Sequence, residues 1–274
     1  MLIGVDIGNY YTKVNGCINF ISKVSETADI LSNTPITIDN KTLYIGEGEF
    51  DTENRKAYKE SYLHLLKYAI QSASKDIHNK IVVGLPITQY KKDKSYLINR
   101  IMQTGMVDDV EVQPEGIVSL SSSYEGVGID FGGGTTDIFL LEKEGGKRKI
   151  KQPYSIPKGI LNLESEFINY INSEFGLDLV PKDADRIIKN GLYIYGEKKE
   201  FSLSIYSSFV KSIIRRVQVD YSLKTNNITL LGGGGQKLYG AFKMLLPQTE
   251  LLDNSFYSNS IAFTNIARRL WNWK

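Results

Sequence analysis

The 274-residue chain contains a single cysteine, Cys17, so an internal disulfide is excluded and a reducing compartment is implied. In its apolar context, CINFI, that thiol reads as a small core residue rather than a nucleophile. Histidine is nearly absent: His64 falls within a helical stretch and His78 beyond it, which argues against both a histidine-rich metal site and a Ser–His–Asp triad. No apolar run approaches the roughly 20 residues of a membrane span, and the opening MLIGVDIG lacks the basic region of a secretory signal. A net charge of +2 is too balanced for an electrostatic grip on DNA. These absences predict a soluble, cytoplasmic protein that engages neither DNA nor membrane directly.

What is present is a repeated pattern. Ile3 to Val14 reads IGVDIGNYYTKV and Gly128 to Leu140 reads GIDFGGGTTDIFL. Each is an apolar strand carrying one Asp, then a glycine-containing turn rich in hydroxyls, then a second apolar run. Asp6 and Asp130 lie 124 positions apart. Taken alone, Asp and Gly before Thr make an ordinary turn. Two such turns facing each other would clamp a nucleoside triphosphate. Gly132, Gly133 and Gly134 expose backbone N–H groups to an anion, Thr135 and Thr136 add hydroxyl donors, and Lys13 supplies a compact positive charge for β- and γ-phosphate oxygens. Asp6 and Asp130, at strand ends, suit Mg²⁺, which takes one or two carboxylates plus phosphate oxygens and waters. A third element, Ile228 to Leu238, runs ITLLGGGGQKL, and apolar Leu230 and Leu231 before Gly232, Gly233, Gly234 and Gly235 argue against a flexible linker. A close backbone approach to the nucleoside accounts for it better.

The order and spacing of these three motifs resemble the actin, sugar-kinase and chaperone ATPase superfamily, and within it the bacterial actin-like ATPases of the ParM type, which segregate plasmids. The resemblance covers nearly the whole chain. It implies an α/β, actin-like (ribonuclease H-like) two-domain fold with ATP or GTP and Mg²⁺ in the interdomain cleft. It places the first phosphate loop on Asp6, Gly8, Asn9, Tyr10, Tyr11, Thr12 and Lys13, the second on Asp130 to Asp137, and the adenosine loop on Gly232 to Gly235. In the connecting helix expected within Val112 to Tyr124, opened by Pro114, Glu115 is the candidate for polarising the attacking water and Gln113 the alternate. A first-turn glutamate favoured by the helix dipole is the other reading of Glu115. Lys189 and Asn190 are candidates for ribose or base contacts by the same resemblance. It further implies self-association into a filament and a DNA-bound adaptor at the filament end. The pattern departs from the family at Tyr10 and Tyr11, where small or hydroxyl residues are usual, and at Arg268 and Arg269, where glycine is common; Asn265 stands at the family's usual Asn.

The organisation expected is a first domain from residues 1–127 plus 255–274, with a small subdomain at about 30–60, and a second domain from 128–254. Thr34 to Gly48 reads as two strands around an Asp39–Asn40 turn, Arg55 to Ala73 as a helix with Tyr58, Tyr62, Leu65, Leu66 and Ala69 on one face, and Ile81 to Leu85 as a buried parallel strand. Lys91, Lys92 and Lys94 read as a solvated helix face, and Gly145 to Lys151 as a hairpin with a basic, solvent-exposed tip. Helices follow at Leu161 to Phe175, Asp183 to Asn190 with Gly191 as C-cap, Ser204 to Val219, and within Ser260 to Lys274, where Trp271 and Trp273 close the first domain. Two other functions share these hairpins. A small-molecule kinase of the superfamily needs a carboxylate base in the cleft, for which no segment stands out. A membrane-linked regulatory actin homologue needs a terminal amphipathic basic helix, of which only the short ARRLWNWK is present.

Overall fold

The structure, a computed structural model, describes residues 1–28, 35–38 and 40–271. The first half runs β1 (Leu2–Ile7), β2 (Tyr11–Val14), β3 (Ile18–Ile21), β4 (Lys23–Ser25), β5 (Ile36–Ile38), β6 (Lys41–Phe50), α1 (Tyr62–Ala73), β7 (Lys80–Leu85), α2 (Ile87–Met102) and β8 (Asp109–Pro114). The second runs β9 (Gly126–Phe131), β10 (Thr136–Glu144), β11 (Lys147–Ile156), α3 (Ile160–Phe175), α4 (Ala184–Asn190), β12 (Leu192–Ile194), β13 (Glu197–Lys199), α5 (Ser204–Asp220), β14 (Ile228–Leu231), α6 (Gly232–Leu245), β15 (Thr249–Leu251) and α7 (Ser258–Leu270).

The two halves are built to one plan. A five-stranded sheet of order β3-β2-β1-β7-β8 is matched by another of order β11-β10-β9-β14-β15. In each, an antiparallel meander carries the Asp-bearing hairpin, and its first strand pairs in parallel with a later strand that pairs in parallel with a second, both reached through helices. The central parallel strands β7 and β14 are mostly apolar, as strands covered on both faces tend to be: Ile81, Val82, Val83 and Leu85 are buried, as are Ile228, Leu230 and Leu231. Around the first sheet, Tyr62, Leu65, Leu66 and Ala69 of α1 form one buried face; around the second, Phe209, Val210, Ile213 and Val217 of α5 do the same. The fold is therefore the two-domain α/β, actin-like arrangement that the motifs implied.

After β15 the chain returns to the first sheet, where α7 packs on β1 and β7. Phe263 and Ala267 bury against Val82, and Gly4 admits the helix so closely that a Cβ there would lie 2.5 Å from the Ser260 carbonyl oxygen. Trp271 donates its indole N–H to Asp109 at 2.9 Å, holding the end of α7 on β8. Trp273 lies outside the described residues, as do Thr34 and Asp39 of the expected small subdomain. That excursion otherwise forms the three-stranded sheet β4-β6-β5, with Ile38 opposite Lys41 across the turn.

Several local expectations change. Arg55 to Ala73 is not one helix: a 3₁₀ turn, Lys56–Tyr58, precedes α1. Asp51 draws the intervening segment away from helical geometry by accepting from the Ser61 hydroxyl at 2.9 Å and the Ser61 N–H at 3.2 Å, while Lys59 donates to the Asp51 carbonyl. Tyr58 consequently leaves the apolar face and stacks on Tyr96 at the surface, ring centroids 4.3 Å apart. Pro114 ends a strand instead of opening a helix, because β8 stays in register with β7 as far as Leu85↔Pro114 and Gly116 then turns at φ +71 into a single 3₁₀ turn, Ile117–Ser119. The four glycines from Gly232 form no loop; they are the first turn of α6. Cys17 is exposed in the short connection between β2 and β3 rather than buried. Among the described residues, no helix is long and apolar enough to cross a membrane.

Candidate active-site cleft

The β1–β2 and β9–β10 hairpins face each other across a cavity of about 410 Å³ lined from both sheets. Their turns are closed identically: the Gly8 N–H donates to the Tyr11 carbonyl at 3.0 Å, and the Gly132 N–H to the Thr135 carbonyl at 2.9 Å. Asp6 pairs in register with Lys13 in the first hairpin, and Asp130 with Asp137 in the second. Both pairs of equivalent positions, 6 with 130 and 13 with 137, are offset by 124 residues. One hairpin therefore carries a carboxylate beside an ammonium, and its counterpart carries two carboxylates.

That asymmetry sets the electrostatics. Burial works to raise the Asp6 pKa, but Lys13 at 3.3 Å and Lys56 at 3.7 Å outweigh it and hold the carboxyl below its usual range. Asp130 has no such partner. Burial pushes it up to about 7, with the neighbouring Asp137 and Asp6 charges adding to the rise. Burial likewise raises Asp137 to about 6, against donation from the Ser155 and Thr135 hydroxyls. Glu115 sits at about 7 because burial and the Asp6 and Asp130 charges prevail over its ion pair with Lys56. Lys56 itself stays charged: burial disfavours the ammonium, but Glu115 and Asp6 raise its pKa. The 3₁₀ turn that breaks the expected helix is thus what delivers Lys56 into the cleft.

Asn259, on the first turn of α7, joins the parts. Its Oδ1 accepts from the Gly116 N–H at 2.8 Å and the Ser119 hydroxyl at 2.9 Å, and its Nδ2 donates to Asp130 at 3.4 Å. Phe256 packs edge-on to Tyr11 at 5.5 Å and beneath the Lys13 ammonium at 4.9 Å from the ring centroid, fixing both side chains on the first turn. Farther along the cleft, Lys237 of α6 pairs with Glu164 of α3 and with Asp185 of α4 at 2.8 Å, tying three helices together beside Gly232 to Gly234. Gly232 is required at its position: it has φ +75, and a Cβ there would lie 2.5 Å from both the Asp130 Oδ1 and the Phe131 carbonyl oxygen.

Most of the residues singled out in the sequence line this cavity. Asp6, Gly8, Asn9, Tyr10, Tyr11 and Lys13 do so from the first hairpin, Asp130, Gly132, Gly133 and Thr135 from the second, with Glu115 and Gly232 to Gly234 between them. Others are placed elsewhere. The Thr12 hydroxyl is buried against Ser22 at 3.0 Å and that of Thr136 donates to the Lys158 carbonyl at 2.8 Å, so neither is a spare donor for an anion. Gly134 packs under Asn9 and Gly235 against Leu230. Gln113 is bound to Glu111 at 2.9 Å. Lys189 and Asn190 are exposed at the far end of α4, while Asp185 and Lys182, at its other end, line the cleft. Asn265 is exposed, and the α7 asparagine that reaches the site is Asn259. Lys56, Asn259, Glu164 and Lys237 line the cleft without having been singled out in the sequence, and Asp137, at the end of the second phosphate loop, was given no role of its own. The 124-residue offset between the hairpins was a signal that could have found Asp137.

Among the described residues, no group of three His, Cys, Asp or Glu side chains is arranged to hold a metal by itself. The donor set instead fits a hard cation that completes its coordination with phosphate oxygens and water. Asp130 and Asp137 supply unneutralised negative charge on one side, and Lys13 and Lys56 supply positive charge on the other.

Facing hairpins from two like sheets, joined by crossing segments beneath a cleft, define the actin-like class of folds. Residues 4–123 match the family described as the N-terminal domain of actin-like proteins. The whole structure is similar to that of Ta0583, an archaeal actin homolog, in complex with ADP, with a TM-score of 0.80 at 16% identity over 98% of this chain and 99% of that one. It is also similar to the subunit of a 15-stranded ParM filament from Clostridium botulinum (TM-score 0.74, 18% identity, 98% and 99% covered). MreB5 of Spiroplasma citri bound to ADP is similar as well (TM-score 0.71, 16% identity, 99% and 98% covered). No curated protein matches the sequence.

Proposed function

We propose that this chain binds ATP or GTP with Mg²⁺ between the two hairpins, hydrolyses it, and polymerises in a nucleotide-dependent manner into filaments that segregate plasmid DNA through a DNA-bound adaptor. The observation that carries this reading is the pairing of two equivalent glycine hairpins, one carrying a carboxylate beside an ammonium and the other two carboxylates, across a cleft of nucleotide size. The Gly133 amide and the Lys13 ammonium would hold the phosphates, presented by turns that the Gly8 and Gly132 N–H groups close. Asp130 with Asp6 would hold Mg²⁺, and Asp137 adds charge beside them; when bound, the cation supplies neutralisation of charge on the phosphate oxygens. Glu115, poised near neutrality by burial, orients the attacking water and accepts its proton. Lys56 keeps that carboxylate ionised and presents a second positive charge to the cleft. Catalysis of this kind rests on positioning and preorganised charge rather than covalent participation. The Gly232 to Gly234 turn and the Glu164–Lys237–Asp185 cluster would receive the nucleoside. The filaments of ParM, Alp12 and AlfA, whose subunits are similar in fold, support self-association, and a head-to-tail contact that does not close gives an open filament.

Right-angle light scattering after addition of Mg-ATP or Mg-GTP, with phosphate release followed in parallel, tests this. Scattering that rises with hydrolysis above a critical protein concentration is the expected result. Hydrolysis without scattering across a concentration series moves the assignment to a small-molecule kinase or a regulatory actin homologue.

A further inference from the structure

We propose that Asn259 is the positioning residue that fixes Glu115 and couples it to Asp130. Two segments carry the chain between the halves: the one from β8 to β9, which contains Glu115 and its 3₁₀ turn, and the one leading from β15 into α7, which contains Asn259. One side-chain amide bridges them. Its oxygen takes two donors from the segment directly after Glu115, the Gly116 N–H at 2.8 Å and the Ser119 hydroxyl at 2.9 Å. Its nitrogen donates to Asp130 at 3.4 Å, on the hairpin of the opposite half. Glu115 itself is pinned on the other side by its own N–H, which donates to the Leu85 carbonyl at 2.9 Å. The backbone around Glu115 is thus held by β7 before the side chain and by Asn259 after it.

Gly116 makes this anchor decisive. At φ +71 it departs from the β8 ladder, so its N–H is no longer served by strand pairing and depends on Asn259. The amide is 8% exposed, which keeps water from replacing the bond. Asp130 is the acceptor of the third bond, so a displacement of its carboxylate acts on Asn259 directly. A shift of that carboxylate is then passed through a rigid amide to the turn that aims Glu115.

This rests on the hydrolytic reading above, and the test separates the two. In the nucleotide-free protein, Asn259→Ala should raise hydrogen exchange at the Gly116 amide selectively; unchanged exchange there overturns the anchor whatever the protein hydrolyses. In phosphate-release assays, Asn259→Ala should lower kcat by about 10- to 100-fold, the scale of a misplaced catalytic group, with nucleotide affinity within about 3-fold of wild type. The same substitution in a Glu115→Gln background should lower the rate no further, since groups acting as a unit are non-additive. A fully additive loss, or an unchanged rate in the single variant, overturns the coupling. Should Asn259→Ala not fold, Asn259→Ser, which stays polar but is too short to bridge the Gly116 N–H and Asp130, carries the same rate comparison. Wild-type protein that neither binds nor turns over Mg-ATP or Mg-GTP would refute the functional reading and leave the exchange test standing.

Discussion

Replacing Asp130 by Asn should stabilise the nucleotide-free protein while abolishing its tight binding of Mg-nucleotide. Asp130 is 8% exposed and its carboxyl rises from 3.8 to about 7, because burial and the Asp137 and Asp6 charges all oppose its ionisation. Since the folded-state value lies above the unfolded one, the proton-linked stability is fully present below about 3.8 and is lost as pH rises through about 7. At 1.36 kcal/mol for each tenfold change, complete ionisation corresponds to about 4 kcal/mol. Asn keeps an acceptor for the Asn259 Nδ2, but its new amide must find a partner, which offsets about 1 kcal/mol. The net gain is then about 3 kcal/mol at pH 8 and near zero at pH 4.5, where the wild-type carboxyl is largely protonated. For a chain of this size, 3 kcal/mol is about 6–12 °C in Tm. Thermal and urea denaturation of both proteins at the two pH values measure it. A gain of equal size at both pH values, or none at pH 8, would refute the assignment of unneutralised charge to this hairpin.

Glu115→Gln should leave nucleotide affinity nearly unchanged and slow phosphate release by about 10²- to 10⁴-fold, the range of a general base; an unaltered hydrolysis rate removes Glu115 from the mechanism. Lys56→Met removes the ion partner that keeps Glu115 ionised, so the rising limb of the pH–rate profile should move to higher pH, with a stability loss toward the lower end of the roughly 3–5 kcal/mol seen when a buried pair loses one member. An unshifted profile would sever Lys56 from Glu115. Gly232→Ala forces a Cβ to 2.5 Å from Asp130 and Phe131 at a positive φ, and should lose about 1–3 kcal/mol in urea denaturation together with nucleotide affinity.

The parts of this fold legible in the sequence are those that depend on local order. Apolar runs gave the parallel strands, and the repeated Asp-to-hairpin pattern placed Asp6, Lys13, Asp130 and the glycines around one cleft. The misassigned pieces depend on tertiary contacts that no window of sequence contains. Lys56 looked like one more charge on a helix until Asp51 bound Ser61 and broke that helix. Pro114 looked like a helix start until β8 extended its pairing with β7. Thr12 and Thr136 look like anion donors in a hydroxyl-rich turn, but strand alternation points them inward, where Ser22 and the Lys158 carbonyl claim their hydroxyls. Asn259 and Asn265 sit six residues apart on one helix, and only the direction in which α7 crosses β1 decides which meets the cleft.

The misplaced cysteine has an experimental use. Cys17 is exposed, and its carbonyl oxygen lies 3.4 Å from the hydroxyl of Tyr257, the residue immediately preceding α7. With no second thiol in the chain, a maleimide fluorophore attaches at one defined point without any substitution. A dye there sits beside the segment through which the second half returns to the first, and its emission becomes a direct optical readout of motion at that junction.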